Sequence, residues 1–326
     1  PDLHGVTWFM TDAPDGTKMP ISSMNRRVRA FWNIASEAGM SCGVVGWWAT
    51  WPADPIDGYL VSDSVGWLCF GVSGRGGSDE GKTWPPELIE TVEAAIPSPL
   101  EIPTSDLQKI VHLPPERLQP DPSADPYADP PAHLRQAMAT SRGYTDLVLR
   151  QLEERRSRLL AVYYEGTDAV THLFGDFQEP RLPWVSDEGF AAYRDVVSEY
   201  WKWQDELLGE LLAKRGPRTT VVVVSDHGFR IGDERLKHDG FDIDMADADH
   251  TPDGIVIING PSVRVGAVPV KSNHPAAAVA RLERSRELGA TVAIGFSRQP
   301  GCVIWFGACS EVPGLEGGKS RAAGLP

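Results

Sequence analysis

Three short stretches of the sequence place carboxylates and imidazoles beside runs of apolar residues. Asp226 and His227 closely follow the run VVVV, and Asp168 and His172 follow the run LLAVYY. His250 comes shortly before a further apolar run, IVII. Aspartate oxygens and histidine nitrogens are protein ligands of divalent ions such as zinc and manganese. These five residues therefore indicate metal chemistry, and they are the candidate ligands of the chain.

The spacing within each stretch limits how its side chains can act. If a helix begins after Gly166, Asp168 and His172 lie one turn apart on the same face and can reach a single ion. An isolated D-x-x-x-H is equally compatible with a capping aspartate and an incidental histidine. Asp226 and His227 carry more information, because two polar side chains that close a buried strand lose hydration unless something pairs with them. His250 alone is compatible with an ordinary satisfied or exposed histidine.

The elements that must position these residues alternate along the chain. Helical spacing of apolar residues predicts helices over 25–38 and 189–215. Strands are predicted for the short apolar runs, at 41–48, 159–164, 221–224 and 255–258. This alternation predicts an α/β fold whose central sheet is mostly parallel and is flanked by helices on both faces. The candidate ligands then lie near the carboxyl ends of strands, where such sheets bind their ligands.

Two further segments differ in composition. Proline is dense from about 97 to 131, which excludes a regular helix or a central strand. We interpret this segment as an exposed insertion that contributes to a cap beside the site, with a solvated loop of no function as the alternative. The acidic run Asp242–Asp249 is interpreted as solvated, with a further cation site as the alternative.

Composition excludes several classes of function. The chain has 326 residues and a net charge of -14, which disfavours nucleic-acid binding by bulk charge. Its four cysteines form no C-x-x-C pair, so a cysteine-ligated zinc site is not indicated. No apolar run approaches the roughly 20 residues that a membrane-spanning helix needs. Cell compartment and oligomeric state are not predicted.

The order of the motifs resembles the alkaline phosphatase superfamily and, within it, the type I phosphodiesterase and nucleotide pyrophosphatase family. The resemblance extends from the first residues to about Pro261 and implies an alkaline phosphatase-like domain over 1–261. It implies that Asp168, His172 and His250 hold one zinc ion. It also implies that Asp226 and His227 hold a second ion, together with an early Asp and a Thr or Ser nucleophile.

The segment from Pro1 to Val6 resembles the part of the family that follows the nucleophile. The nucleophile and the early Asp are therefore expected upstream of residue 1, and no catalytic residue is assigned within the chain. The hydroxyls of Thr7, Thr11 and Ser22 do not occupy the position that the family motif requires.

The resemblance implies a hydrolase of phosphodiester or nucleotide pyrophosphate bonds that acts on a small phosphate ester or nucleotide. Two ions about 4 Å apart can stabilise the attacking and the leaving oxygens of a phosphoryl transfer. Zinc is the ion that the family uses, and manganese is compatible with the same ligand types. A sulfatase, a phosphonate hydrolase and a phosphomutase of the superfamily would share these ligands. A non-catalytic or degenerate chain is the alternative from another class.

The C-terminal part departs from the family. The Asp-x-x-Pro-Thr pattern expected after Pro261 is missing. We interpret residues 262–326 as an atypical tail, divergent or translated in a shifted reading frame. Within this tail, Ala276–Leu288 is compatible with a helix and Thr291–Ile294 with a short strand.

Overall fold

The computed structural model describes residues 4–6, 10–13, 15–67, 78–237, 248–261 and 263, together with the backbone of 302–308. In this part of the chain the strands are, in order, β1 (Met10–Asp12), β2 (Lys18–Pro20), β3 (Cys42–Val45), β4 (Gly58–Val61), β5 (Thr83–Trp84), β6 (Leu159–Tyr164), β7 (Thr219–Ser225), β8 (Gly228–Phe229), β9 (His250–Thr251), β10 (Val256–Asn259) and β11 (Cys302–Ala308). The helices are α1 (Phe31–Glu37), α2 (Ile89–Ala95), α3 (Thr104–Leu107), α4 (Pro130–Glu154), α5 (Gly166–Phe174), α6 (Asp187–Tyr193) and α7 (Val196–Ala213).

The central sheet has seven strands in the order β10-β7-β11-β6-β3-β4-β5. Strand β3 pairs in parallel with β4 and β6, whereas every other pairing in this sheet is antiparallel. Strands β6 and β7 run in the same direction, because both are antiparallel to β11 between them. The sheet is therefore mixed, and the prediction of a mostly parallel sheet was wrong. Apolar runs show that strands are buried but carry no information about their direction.

Helices cover both faces of the sheet, as predicted. Successive side chains of a strand point to opposite faces, so each strand contributes to two cores. One core joins α2, α4 and α7 to strand residues that include Val45, Val61, Leu160, Val162 and Val221. The other joins α1 to strand residues that include Val44, Leu60, Ala161, Val222 and Val224.

The four predicted strands are present as β3, β6, β7 and β10, with shifted ends. The helix predicted over 25–38 is shorter and comprises α1, after a separate 3-10 turn at Ser23–Asn25. The helix predicted over 189–215 is divided into α6 and α7.

The long helix α4 was not predicted, and it begins within the proline-rich segment. Pro130 and Pro131 occupy its first turn, where a missing N–H is tolerated, and the Asp129 carboxylate accepts from the Ala132 N–H at 2.9 Å.

The proline-rich segment is not exposed throughout. Its first half packs on α4, α5 and α7 through the buried side chains of Ile102, Leu107, Ile110, Val111 and Leu118. The buried Arg135 of α4 donates to the carbonyls of Ile102 and Leu118 and to the hydroxyl of Thr104. Exposure was therefore predicted correctly for 114–117 and for most of 119–129, and wrongly for the five buried side chains. That the segment is an insertion stays a prediction.

The division of the chain at residue 262 also stays a prediction. Residues 264–301 and 309–326 lie outside the described residues, and so do the helix and strand suggested for the tail. Strand β11 lies within the tail, and it occupies a place between β6 and β7 in the sheet. None of the helices in the described part of the chain is long and apolar enough to cross a membrane.

Candidate metal centre

The three stretches singled out in the sequence meet at one edge of the sheet. Strands β6 and β7 run in the same direction, so α5 and the Asp226-His227 pair leave the sheet at the same edge. His250 lies on β9, which pairs with β8 directly after His227 and places His250 opposite Phe229. Asp168, His172, Asp226, His227 and His250 therefore form one group, called here the ligand cluster.

Helix α5 begins where the sequence predicted and presents two of these side chains together. An added Cβ on Gly166 would lie 2.0 Å from the Tyr200 hydroxyl, so only glycine allows this close approach of α7. Asp168 lies in the first turn, where the helix dipole favours a negative charge. His172 follows one turn later, and its Nε2 is 3.5 Å from Asp168 Oδ1.

Asp168 is the centre of the ligand cluster. Its Oδ1 lies 3.6 Å from the Nε2 of His227 and 3.6 Å from the Nε2 of His250. The Nε2 atoms of His172 and His250 are 2.9 Å apart. The ligand atoms of Asp168, His172 and His250 all lie within 4.8 Å of one another, close enough to bind one cation.

The second predicted ligand set is incomplete among the described residues. His227 Nε2 lies 3.8 Å from Asp226 Oδ1, and the His227 ring stacks on that of His250 with centroids 3.7 Å apart. His227 Nδ1 lies 3.0 Å from the Gly228 carbonyl. In the tautomer that donates this hydrogen bond, Nε2 keeps its lone pair for a metal ion.

Two buried atoms of the cluster are chemically unsatisfied. Asp168 Oδ1 and His227 Nε2 have no hydrogen-bond partner in the described part of the chain. A buried polar atom without a partner costs about 1–3 kcal/mol, and a bound cation would remove this cost. The donor set of one carboxylate and several imidazoles also has the chemistry of a zinc or manganese site. The residues present therefore suit a metal ion.

Electrostatics favour the protonation states that metal binding requires. Burial lowers the pKa of His227 to about 4 and also lowers the pKa of His172. Burial by itself would raise the pKa of Asp168, but the surrounding imidazoles hold this pKa below its ordinary value. At neutral pH the Asp168 carboxylate is therefore charged and the imidazoles of His172 and His227 are neutral, and these are the states in which such side chains bind a cation.

Phe229 is a residue of the site that the sequence analysis missed. Its ring packs edge to face against the imidazoles of His172, His227 and His250, with centroid distances of 5.0, 5.3 and 5.1 Å. This ring forms an apolar wall that limits how the three imidazoles can turn. The signal available in the sequence was its position in the strand that directly follows His227.

Arg235 was also missed, and it links the backbone of His172 to the carboxylate of Asp249, the residue next to His250. Its guanidinium donates to the His172 carbonyl at 2.8 Å and to the Asp176 carboxylate at 2.7 Å. It also forms an ion pair with Asp249, the neighbour of His250, at 3.2 Å. Asp249 is buried, so the prediction of a solvated acidic run is wrong at this position. Residues 242–247 of that run lie outside the described residues.

A second group of carboxylates lies behind the cluster. Burial, with Asp168 and Asp63 nearby, raises the pKa of Glu165 well above its ordinary value. Asp63 accepts hydrogen bonds from the backbone of Ala49 and Trp51 at 2.8 and 3.1 Å. Burial nevertheless raises the pKa of Asp63 to about 6. The sequence offered no spacing signal for either residue.

The hydroxyls considered as nucleophiles gain no support. Ser22 donates to Asn25 at 3.0 Å in a 3-10 turn, and Thr11 lies on β1, which pairs with β2. Thr7 lies outside the described residues.

The fold and the site together define an α/β protein with a cluster of imidazoles and carboxylates at the edge of its central sheet. The sequence model of the type I phosphodiesterase / nucleotide pyrophosphatase family matches residues 1–292, and the chain belongs to this family. The match extends beyond Pro261, the limit that we inferred from the motifs. Comparisons with curated proteins and with solved structures gave no match. The family is one of hydrolases that act on phosphate esters and nucleotides.

Proposed function

We propose that this protein is a metal-dependent hydrolase of phosphodiester or nucleotide pyrophosphate bonds that uses two zinc ions. The proposal rests chiefly on the convergence of Asp168, His172 and His250, whose ligand atoms lie within 4.8 Å of one another. Because the chain belongs to a phosphodiesterase family, we interpret these neighbouring ligand atoms as a site for the hydrolysis of phosphate esters. Manganese is compatible with the same ligands.

Each of the two ions binds a different part of the ligand cluster. Asp168, His172 and His250 hold the first ion, and Asp226 and His227 hold the second with an Asp and a Thr or Ser nucleophile that precede residue 1. When bound, the two ions neutralise the substrate phosphate and stabilise the charge that develops on its oxygens.

The protein residues prepare the site for this chemistry. Imidazoles kept neutral by burial leave their nitrogens available, and the charged Asp168 offsets part of the cationic charge. Phe229 excludes water from one side of the imidazoles, which strengthens electrostatic interactions within the site. Arg235 holds the backbone of His172 and pairs with the side chain next to His250.

Metal content tests the ligand assignment. We expect Asp168→Ala and His250→Ala each to lose one zinc ion per chain, and Asp226→Ala to lose the other, when measured by mass spectrometry of the purified proteins. His112→Ala is the matched control, because His112 is an exposed histidine paired with Asp195 at 2.7 Å on the surface. Unchanged zinc content in the three cluster variants would refute the assignment.

Substrate assays test the reaction. The full-length protein with added zinc should hydrolyse bis(4-nitrophenyl) phosphate faster than 4-nitrophenyl sulfate or a phosphonate monoester. A preference for the sulfate or the phosphonate would assign the related chemistry of the superfamily. Full zinc occupancy without turnover of any of these esters would indicate a non-catalytic chain.

A further inference from the structure

A small pocket, called here the basic pocket, lies at the edge of the central sheet opposite the ligand cluster. Its volume is about 70 Å³, and its wall is formed by the turn from α4 into β6 and the turn from α7 into β7. Strand β6 begins at this pocket and ends beside α5, and a strand of six residues spans about 20 Å. A ligand in the basic pocket therefore does not reach the candidate metal centre.

Positive charge is concentrated around the basic pocket. Arg156, Lys214 and Arg215 line it, and the described residues of its wall include no aspartate or glutamate. The chain as a whole carries a net charge of -14, so this grouping of cations is opposite in sign to the rest of the protein. Like charges held close together repel one another, and an anion bound between them removes this repulsion.

The partners of these cations leave most of their hydrogen-bond donors available. Arg156 donates to the Lys214 carbonyl at 3.1 Å. Arg215 donates to Asn259 Oδ1 at 3.3 Å. The Lys214 ammonium pairs with Glu153 at 3.0 Å, and this pair is weak because its side chains are 44% and 67% exposed. A guanidinium has five N–H donors and an ammonium has three, so each cation can also bind an anion.

The basic pocket also contains a buried hydroxyl that has no partner. Ser157 lines the pocket, and its buried Oγ makes no hydrogen bond in the described part of the chain. The wall beside it includes Leu160 and Leu211, which are buried and offer no polar side-chain atom. A buried polar atom without a partner is costly, and a bound acceptor would remove this cost.

Size and donor arrangement indicate which anion fits. The volume of 70 Å³ corresponds to about two water molecules at about 30 Å³ each, which suits a single phosphate group. The donors come from two separate turns of the chain. The oxygens of a tetrahedral phosphate accept hydrogen bonds from several directions, whereas a carboxylate has two oxygens in one plane.

We propose that the basic pocket is a phosphate-binding site separate from the metal centre. Arg156, Lys214 and Arg215 hold a phosphate dianion, and the Ser157 hydroxyl donates to one of its oxygens. Free orthophosphate and the phosphate group of a monoester share this chemistry. A bound phosphate joins the turns that precede β6 and β7, so it stabilises the starts of the two strands that end at the ligand cluster.

Amide hydrogen exchange measured by mass spectrometry tests this proposal, because it locates binding within the chain. Orthophosphate, added to the zinc-loaded full-length protein at constant ionic strength, should slow exchange in peptides that cover 155–159 and 214–219. A phosphate titration of this protection gives an apparent dissociation constant. Arg156→Gln and Arg215→Gln should each raise that constant about tenfold or more, because each removes a hydrogen bond to a charged group. Ser157→Ala should raise it about threefold.

Arg218→Gln is the matched control. Arg218 is also an exposed arginine, lies three residues from Arg215, and is not among the residues that line the basic pocket. It should keep the wild-type dissociation constant. The proposal is wrong if the wild type shows no protection, if Arg215→Gln and Arg218→Gln weaken binding equally, or if acetate protects as well as phosphate.

Two further titrations identify the source of the phosphate and separate this site from the proposed function. Phenylphosphonate represents a monoester that the protein cannot hydrolyse. Protection by both anions assigns the site to phosphate groups in general, and protection by orthophosphate alone assigns it to the free ion. Protection of the two turns should persist after a chelator removes the zinc, because it depends on no metal ligand. Protection that disappears with the zinc would overturn the separate site and leave the metal centre in place.

Discussion

Replacement of Arg235 tests whether a buried cation organises the candidate metal centre. The side chains of Arg235 and Asp249 are only 2% and 3% exposed, whereas the second acceptor, Asp176, is 26% exposed. Arg235→Met removes the positive charge at similar length and leaves Asp249 as a buried carboxylate without this counter-ion. The same change removes the hydrogen bond to the His172 carbonyl.

The magnitude follows from burial. Removing one partner of a buried ion pair costs about 3–5 kcal/mol, because the remaining charge stays desolvated after this counter-ion is lost. The more exposed pair with Asp176 adds at most about 1 kcal/mol. We therefore expect Arg235→Met to lower the free energy of unfolding by about 3–5 kcal/mol and the affinity for zinc by about 10–100-fold, since residues that orient metal ligands have effects of this size.

Urea denaturation and a competition titration with a zinc chelator measure the two quantities. Arg142→Met is the matched control, because Arg142 also bridges two carboxylates, Asp146 and Glu210, at 2.6 and 2.7 Å. These side chains are 26–44% exposed and lie elsewhere, so the loss should be about 1 kcal/mol with no change in zinc affinity. Arg235→Lys should fall between the wild type and Arg235→Met, because an ammonium cannot reproduce the planar fork of the guanidinium. If Arg235→Met matched Arg142→Met in both measurements, the reasoning would be wrong.

Three further outcomes are expected. Burial lowers the pKa of His133 from its ordinary value of 6.5 to about 4, so the unfolded chain takes up a proton that the folded chain does not. As pH drops from 6.5 to 4, the free energy of unfolding of the metal-free wild type should therefore fall, and this fall should exceed that of His133→Gln by about 3 kcal/mol. Urea denaturation measures both proteins at each pH, and equal falls in the two proteins would contradict this. Arg135→Met should lower the free energy of unfolding by about 1–3 kcal/mol for each buried carbonyl left without a donor, and it should speed proteolysis within 97–118. Arg117→Met, which alters an exposed ion pair, is the control. Cleavage of Arg135→Met no faster than that of Arg117→Met would argue against this role. Zinc at a hundred times its dissociation constant should raise the free energy of unfolding by about 2.7 kcal/mol for each ion bound, and an Asp168→Asn variant with the full increase would exclude Asp168 as a ligand.

Local patterns predicted the main strands and singled out the candidate ligands, whose role as ligands stays a prediction. The apolar runs at 159–164 and 221–224 are β6 and the core of β7, because a buried strand needs an uninterrupted apolar stretch. The D-x-x-x-H spacing places Asp168 and His172 on one helical face, because the helix repeat makes such residues neighbours. Both inferences depend on residues that are close in the chain.

The errors and omissions share a different origin. The antiparallel pairing of β10 with β7, and of β11 with β7, is set by how distant strands meet, and an apolar run is compatible with either direction. The proline-rich segment is packed because Arg135 and an apolar face of α4 receive it, a contact between residues about 17 to 33 positions apart. Asp249 is buried because Arg235 accompanies it, which no local pattern of acidic residues could show.

The sequence by itself determined the α/β class and the strands that end at the site, because these depend on periodicity over a few residues. It singled out the five candidate ligands by residue type and by the family resemblance that the order of the motifs carries. Only the tertiary structure showed the distances between His250, Asp168 and His172, the contacts of Phe229 and Arg235 around the imidazoles, and the basic pocket at the opposite edge of the sheet. These features require segments separated by tens of residues to meet. Their meeting is set by the packing of the whole sheet and its helices, a sum of long-range contacts that leaves no periodic trace in the sequence.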